Sequence, residues 1–410
     1  MKRIFAEKCV TAIDIGTTKI CVLVGQQLGD GSFDIVGVGR APSEGLKKGV
    51  VVDIAKTVKS LRAAIQEAQL MANITIESAI IGISGGHIQS RNAYGAVPLE
   101  KGEVRQEDKA HVIAAAKAVP LAEGQKMLHV LPQFYSIDGQ ERIVDPLGMY
   151  GIRLEAQVHI ITGSIASVQN LVRCCEMAGV GVDDIVLEQL ASSYAVLTDD
   201  ERDLGVAMLD IGGGTADLAL YQNSTIRHTM VVPIAGNHFT NDIAIGLRTT
   251  VKEAERVKRA YGSAYRTIEA QEDIFEVEHV HGEGKEIFSS LDLLDILEPR
   301  AQELLSIVHE EIMERHFESI MPSGLVLTGG GSLLKGMKEV AEEIFQVPVR
   351  IGIPHVMHDG PEILKNPMYA TGYGLLLYSE RMRQSGLEQD KEVGVARLLS
   401  RMKSWVSDFF

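Results

Sequence analysis

The sequence predicts a two-lobed α/β fold built from two related halves, with a small α+β subdomain inserted into it and an amphipathic helix at the C-terminus. Three observations predict it. A unit of strand, Asp, small-residue turn and strand occurs twice, as VTAIDIGTTKICVLV and VAMLDIGGGTADLAL. Regular patterning breaks over 84–162, where Gly, Pro and polar residues interrupt short strands. Residues 395–410, VARLLSRMKSWVSDFF, gather their large apolar side chains on one side of a helical wheel.

In chain order, CVTAID, ICVLVG and FDIVGVG (within 9–39) read as an antiparallel meander joined by Gly-rich or polar turns. Asp53 is a good N-cap for a helix over 53–72, where Val58, Leu61, Ile65, Ala68 and Leu70 form an apolar stripe. SAIIGI (78–83) reads as a buried strand. Inside 84–162 a helix is expected near 107–118, and AQVHIITG (156–163) reads as a strand returning to the main body. A helix near 165–178 and the strand DDIVL follow. The second three-strand unit, LGVAMLD, ADLALYQ and TIRHTMVVP, begins at 204. Helices are expected near 237–247 and 250–261, a mixed stretch over 262–290, and a helix from Pro299 to about 317, because Pro is favoured at the first helical position. GLVLTGG (324–330) reads as a strand entering a Gly-rich turn, with Ser332 a candidate cap for the next helix. Residues 381–394 are polar and aperiodic and read as a linker.

This gives a first-lobe core at 1–83 with 163–198 and 360–380, an inserted subdomain at 84–162, and a second lobe at 199–359 that includes a subdomain at 240–300. The linker and the terminal helix at 395–410 complete the chain.

Aligning Asp14 on Asp210 also aligns Val10 with Val206, Ile15 with Ile211 and Gly16 with Gly212. A turn of Gly and Thr has little side-chain bulk, so its backbone N–H groups can converge on phosphate oxygens. Gly16, Thr17, Thr18 and Lys19 form the first such turn, and Gly212, Gly213, Gly214 and Thr215 the second. An Asp at each strand end, Asp14 and Asp210, suits a hydrated Mg²⁺, which keeps several waters. Two turns facing each other would hold a polyphosphate between the lobes. Each turn alone could be an ordinary hairpin; the repetition, joined by the Gly-rich Gly329, Gly330, Gly331 and Ser332, argues for phosphate and nucleoside binding.

The net charge of −15 excludes a typical nucleic-acid binder, which needs clustered Lys and Arg. The start, MKRIFAEKCV, has charges and no apolar core, so a signal peptide is not expected; nor does any apolar run reach the roughly 18 residues of a membrane span. Cys9, Cys21, Cys174 and Cys175 form no C-x-x-C pair and are expected to be idle thiols in the cytoplasm. On the wheel of 395–410, Val395, Leu398, Leu399, Met402, Trp405, Val406, Phe409 and Phe410 fall within an arc of roughly 140°. Arg397, Arg401 and Lys403 lie outside it against Asp408 alone, reversing the sign of the body's charge. A basic helix with Trp and Phe on its apolar side fits a membrane surface; docking on the body is the alternative. One such helix is a modest anchor, so durable attachment requires self-association.

The motifs resemble the actin/Hsp70/sugar-kinase superfamily. Asp14-Ile15-Gly16-Thr17-Thr18-Lys19 looks like its first phosphate motif, Leu209-Asp210-Ile211-Gly212-Gly213-Gly214-Thr215 like its second, and Leu327-Thr328-Gly329-Gly330-Gly331 like its adenosine motif. Glu188-Gln189-Leu190-Ala191-Ser192-Ser193 resembles the connecting helix, from which Glu188 or Gln189 would orient an attacking water. Asp210 joins these two as a catalytic candidate. Ala254-Glu255-Arg256-Val257-Lys258 resembles a helix whose Glu255 and Lys258 lie beside the adenine; a solvated helix face is the alternative.

Within that superfamily the chain resembles, over nearly its whole length, the bacterial cell-division family FtsA. Blocks carrying this include GISGGHIQS (82–90), VDPLGMYGIRLEAQVHIITG (144–163), VPIAGNHFTNDIA (232–244), ILEPRAQELL (296–305) and YATGYGLLLY (369–378). The resemblance implies an actin-like ATPase fold and an ATP-binding adaptor with weak turnover. It implies filaments on the cytoplasmic face of the inner membrane at the division site. It also implies tethering of the FtsZ C-terminal tail and recruitment of later division proteins such as FtsN. By the same resemblance, Arg300 would fall in the region that receives the FtsZ tail; as a cation at an expected helix start it invites a nonlocal explanation, against a local pair with Glu298 or Glu303. A small-molecule kinase is the competing reading. An Hsp70-like chaperone would need a substrate-binding domain for which the short stretch after 380 leaves no room.

Overall fold

The structure, a computed structural model, describes residues 9–389 except 30, 101, 267–271, 281, 283 and 357–360. The terminal stretch 395–410, with Leu398, Leu399, Met402, Trp405, Val406, Phe409 and Phe410, lies outside the described residues.

The first half opens with the meander β1 (Cys9–Ile15), β2 (Lys19–Gln27) and β3 (Phe33–Pro42). A small hairpin follows, β4 (Leu46–Lys47) with β5 (Val50–Val51), then helix α1 (Ile54–Ala72) and strand β6 (Ser78–Ile83). Asp53 caps α1 by accepting the Lys56 N–H at 3.1 Å. α1 packs so closely on β3 that a side chain at Gly39 would overlap the Ala64 carbonyl.

The chain then leaves for the insertion: β7 (Gln89–Pro98), α2 (Gln106–Lys117), β8 (Gln125–Ile137), β9 (Gln140–Ile143) and β10 (Arg153–Ser164). These strands make their own sheet, in the order β7-β10-β8-β9, over a separate small core of Leu99, Val112, Ile137, Leu154 and Ala156. The strand expected at 156–163 to return to the main body therefore belongs to this insertion: it pairs along its length with β7 and β8. The return is made by α3 (Ile165–Ala178) and β11 (Gly181–Leu187), which closes the first sheet, β11-β6-β1-β2-β3.

Helices α4 (Glu188–Val196) and α5 (Asp199–Leu204) lead to the second half, β12 (Val206–Ile211), β13 (Ala216–Gln222) and β14 (Thr225–Val232). Then come α6 (Gly236–Gly246), α7 (Val251–Tyr261), the hairpin β15 (Ile274–Glu278) and β16 (Lys285–Ser289), and α8 (Ser290–Glu314). β17 (Leu325–Thr328), α9 (Met337–Phe345) and β18 (Val349–Ile351) finish the second sheet, β14-β13-β12-β17-β18. Reversed, that order matches the first sheet strand for strand: β12 stands for β1, β13 for β2, β14 for β3, β17 for β6 and β18 for β11. α10 (Ala370–Gln389) crosses back onto the first sheet, with Gly372 against Leu23. The interlobe helix α4 packs on α10 and on one face of the second sheet, so Met208 and Ala219 join the first core, while Leu209 and Leu218 face the second.

Three local expectations are corrected. α8 begins at Ser290, and Pro299 lies inside it. Its start is a capping box in which Ser289 and Asp292 exchange side-chain and backbone bonds. Burial of Leu293, Leu294, Leu297, Ala301, Leu304 and Leu305 offsets the proline's roughly 3 kcal/mol penalty. Residues 381–389, expected as linker, continue α10 to Gln389. Ser332 does not cap α9, whose N-cap is Gly336; its hydroxyl closes the preceding turn on the Gly329 carbonyl at 2.7 Å.

Candidate functional site: two facing turns and a ring of carboxylates

The two Asp-terminated turns meet across the gap between the lobes. A Cβ at Gly213 would overlap Thr18, and one at Gly214 would overlap Thr17. Each turn is closed by a hairpin bond, Gly16 N–H to Lys19 O at 3.1 Å and Gly212 N–H to Thr215 O at 2.9 Å. Among the described residues, no protein acceptor takes the amides of Thr17, Thr18, Gly213 or Gly214. Unpaired N–H groups on two apposed turns form an anion cradle.

The carboxylates sit beneath. In the antiparallel register Asp210 stands directly opposite Asp217, both on the face of the sheet turned to α4. Like charges in that position repel, and both groups are buried. Each has hydroxyl donors. Asp210 Oδ2 accepts from Ser192 at 2.5 Å and from Thr371 at 3.2 Å. Asp217 accepts from Ser84 at 2.5 Å and from Thr215 at 2.9 Å. Burial, then the neighbouring Asp210 charge, pushes Asp217 up to about 7. Asp14 rises to about 6, through burial with a contribution from Asp210, against the Lys19 ammonium 3.8 Å away. Glu188, at the start of α4, is pushed well above the carboxylate range by burial and by Asp14, Asp217 and Asp210 together. It lies against Gly82. The adjacent Gln189 turns instead toward β14, its amide 3.5 Å from the Met230 carbonyl.

Lys19 is held at the cleft wall, donating to the Met368 carbonyl at 2.5 Å with its ammonium 4.2 Å from the Tyr369 ring centroid. The Gly329–Gly331 turn abuts the second turn so closely that a Cβ at Gly331 would overlap Ile211. Glu255 and Lys258 are not a solvated face. Lys258 donates to Thr240 at 2.7 Å and to the Gly236 carbonyl at 3.0 Å, and it pairs with Glu255 at 2.7 Å. Gly236 N–H in turn bonds the Gly212 carbonyl at 3.0 Å, so the pair stands one residue from the second turn.

Arg300 lies mid-helix in α8, so the helix-dipole argument for it fails. It makes a bidentate pair with Asp242 of α6, at 2.6 and 3.1 Å, and a second pair with Glu303. Sequence reasoning missed Asp217, Ser84, Ser192 and Thr371. Asp217 had a readable signal, an acid inside the otherwise apolar strand ADLALYQ. The three hydroxyls converge only through the fold.

The residues present fit a magnesium-bound polyphosphate. Among the described residues, no three His, Cys, Asp or Glu side chains converge to hold a metal ion alone. A cation here would share water and phosphate oxygens with Asp14 and Asp210. Burial pushes the thiols of Cys21 and Cys175 up to about 12, so neither is a nucleophile at neutral pH.

Paired five-stranded sheets, each opened by an Asp-ended hairpin and joined by an interlobe helix, define an actin-like fold. MreB5 of Spiroplasma citri bound to ADP superposes with a TM-score of 0.58 at 16% identity, covering 93% of this chain and 99% of that one. The PilM-PilN type IV pilus biogenesis complex gives 0.66 at 18% identity, over 90% and 98%. Sequence comparison narrows the class. Family models described as "Cell division protein FtsA" and "SHS2 domain inserted in FTSA" match residues 207–374 and 85–162. The chain is 44% identical to the cell division protein FtsA of Pseudomonas aeruginosa over 417 residues, the full length of both. It is 40% identical to that of Escherichia coli K12 over 413 residues, 98% of each, and 40% identical to that of Bacillus subtilis over 90% of this chain and 83% of the relative. The chain belongs to the FtsA family of cell division proteins.

Proposed function

We propose that this chain binds ATP with Mg²⁺ in the interlobe cleft and serves cell division as a membrane-associated, filament-forming adaptor. In this reading it tethers the C-terminal tail of FtsZ to the cytoplasmic face of the inner membrane and recruits later division proteins such as FtsN. The observation that carries nucleotide binding is the apposition of the two turns, with four amides that no acceptor takes among the described residues, beside buried carboxylates. Gly16, Thr17, Thr18, Gly212, Gly213, Gly214 and Thr215 grip phosphate, with Lys19 moving from the Met368 carbonyl to add charge. Gly329, Gly330, Gly331 and Ser332 shape the nucleoside side, and Glu255 and Lys258 flank the base. Bound Mg²⁺ supplies charge neutralisation between phosphate and the carboxylates. Asp14 and Asp210 would hold it through water. Glu188, rather than Gln189, is the group set to hold an attacking water, because it alone of the two stands among the site carboxylates.

Membrane attachment rests on the amphipathic pattern of 395–410. Among the described residues no helix is long and apolar enough to cross a membrane. Arg300, part-exposed between α6 and α8, is the proposed contact for the FtsZ tail.

Calorimetry with Mg-ATP tests the site. Gly213→Asp sets a carboxylate among the phosphates and against Thr18, and should weaken binding at least about tenfold; a folded variant with unchanged affinity rejects the reading. Liposome flotation with and without 395–410 tests the anchor, which is refuted if the shortened chain floats equally well.

A further inference from the structure

The strand correspondence between the halves places the root of the insertion. β6 stands for β17, so Ser84-Gly85-Gly86 occupies the position that Gly329-Gly330-Gly331 takes in the second half. There a short turn abuts Asp210; in the first half the same exit opens into the whole insertion. Its first residue still reaches the site, since Ser84 donates to Asp217 Oδ1 at 2.5 Å and lies 3.3 Å from the Thr215 hydroxyl. The β4–β5 turn braces the root from the other side: a Cβ at Gly49 would lie 2.7 Å from the Ser84 carbonyl, and Gly49 N–H bonds Thr17 Oγ1 at 3.1 Å. A continuous chain of contacts thus runs from the first phosphate turn through Gly49 and Ser84 to the second.

The insertion touches both lobes. On the first, Leu187 N–H of β11 donates to His129 Nε2 of β8 at 3.1 Å. On the second, the insertion covers the edge strand β14. The Gln133 amide donates to the carbonyls of Ile226 and Arg227 at 2.8 and 3.1 Å, and Ser90 donates to the Thr229 carbonyl at 2.7 Å. The buried His159 ring lies 2.9 Å from the Thr229 hydroxyl. A body anchored on two lobes cannot keep all these bonds if the lobes shift, and its root senses the group between them.

We propose that Ser84 is a positioning residue that couples phosphate occupancy of the cleft to the seating of residues 85–162 across the two lobes, making the inserted subdomain the readout of the nucleotide state. This rests on the nucleotide reading above. Phosphate seated on the second turn draws on the Thr215 hydroxyl, which shares Asp217 with Ser84. The Ser84 bond then changes, and the glycines behind it, with Gly85 at φ +139°, let the root turn.

The test is amide hydrogen exchange on the full chain, with and without Mg²⁺ and a non-hydrolysable ATP analogue, beside calorimetry of the same samples. In the wild type, analogue binding should change exchange at least about threefold over 129–134, outside the cleft. Measured at saturating analogue, Ser84→Ala should lose that remote change, and Ser84→Thr, which keeps the hydroxyl, should restore it. Gln133→Leu, which cuts the second-lobe footing, should bind normally and lose the response over 129–131. Binding without remote change in the wild type overturns the coupling and leaves the nucleotide site standing. So does an undiminished response in Ser84→Ala or Gln133→Leu. Loss of binding in Ser84→Ala assigns the hydroxyl to the phosphate grip and also overturns the coupling. No binding in the wild type overturns both.

Discussion

The buried pair Asp210 and Asp217 makes nucleotide-free protein less stable than its packing allows, and this can be measured. Asp217 rises from its ordinary 3.8 to about 7, chiefly because burial strips water from its charged form. A carboxyl whose folded value is raised holds its proton more tightly in the folded state. Its cost is absent below 3.8, grows between 3.8 and 7, and is complete above 7. Roughly three pH units correspond to an upper bound on the order of 4 kcal/mol, shared with Asp210 across the strand pair. Asp217→Asn removes the charge and keeps one carbonyl acceptor for Ser84 or Thr215. Thermal melting without nucleotide should therefore show the variant several degrees more stable than wild type at pH 8 and no more stable at pH 4. A variant less stable at pH 8, or equally favoured at both pH values, refutes the reasoning.

Further expectations concern packing, pH and the membrane. α10 crosses α4 at Gly374, where a Cβ would overlap the Ala191 carbonyl, so Gly374→Ala should cost about 2 kcal/mol or more in denaturant unfolding. His159 is held down to about 3 by burial and by the nearby His228 and Arg315, so it folds neutral, with Asn92 and Thr229 as partners. Its folded value lies below the unfolded one, so its stabilisation is full above about 6.5 and is lost as pH falls toward 3. His159→Gln should therefore melt lower than wild type at pH 7.5, with the gap closing by pH 4. Trp405→Glu sets a charge on the apolar arc of 395–410 and should lower the liposome-bound fraction in flotation.

Arg300 illustrates where local reasoning stopped. Its position three residues from Glu303 was visible, and that pair forms. Its main partner, Asp242, lies on another helix, brought near by the packing of α6 on α8. The error at Pro299 was of a different kind, because the capping box at Ser289 and Asp292 was present in the letters and outranks a proline as a start signal. Glu188 and Gln189 could not be separated by sequence, since neighbours on a helix point about 100° apart and only the lobe geometry decides which faces the cleft.

The sequence alone determined the doubled architecture, because a strand ending in Asp and a small-residue turn is a local device whose repetition is legible without contacts. From it followed the related halves and the fold class, and the proposal of Asp14, Asp210 and the glycines of both turns as site residues. Only the tertiary structure decided which other groups share the site. Ser84, Ser192, Asp217 and Thr371 lie on four separate segments of the chain, and they meet because paired sheets and the α4–α10 crossing converge on one gap. The raised carboxyls are likewise a property of the assembled fold, because lost hydration and unlike distances between charges exist only once the lobes enclose them.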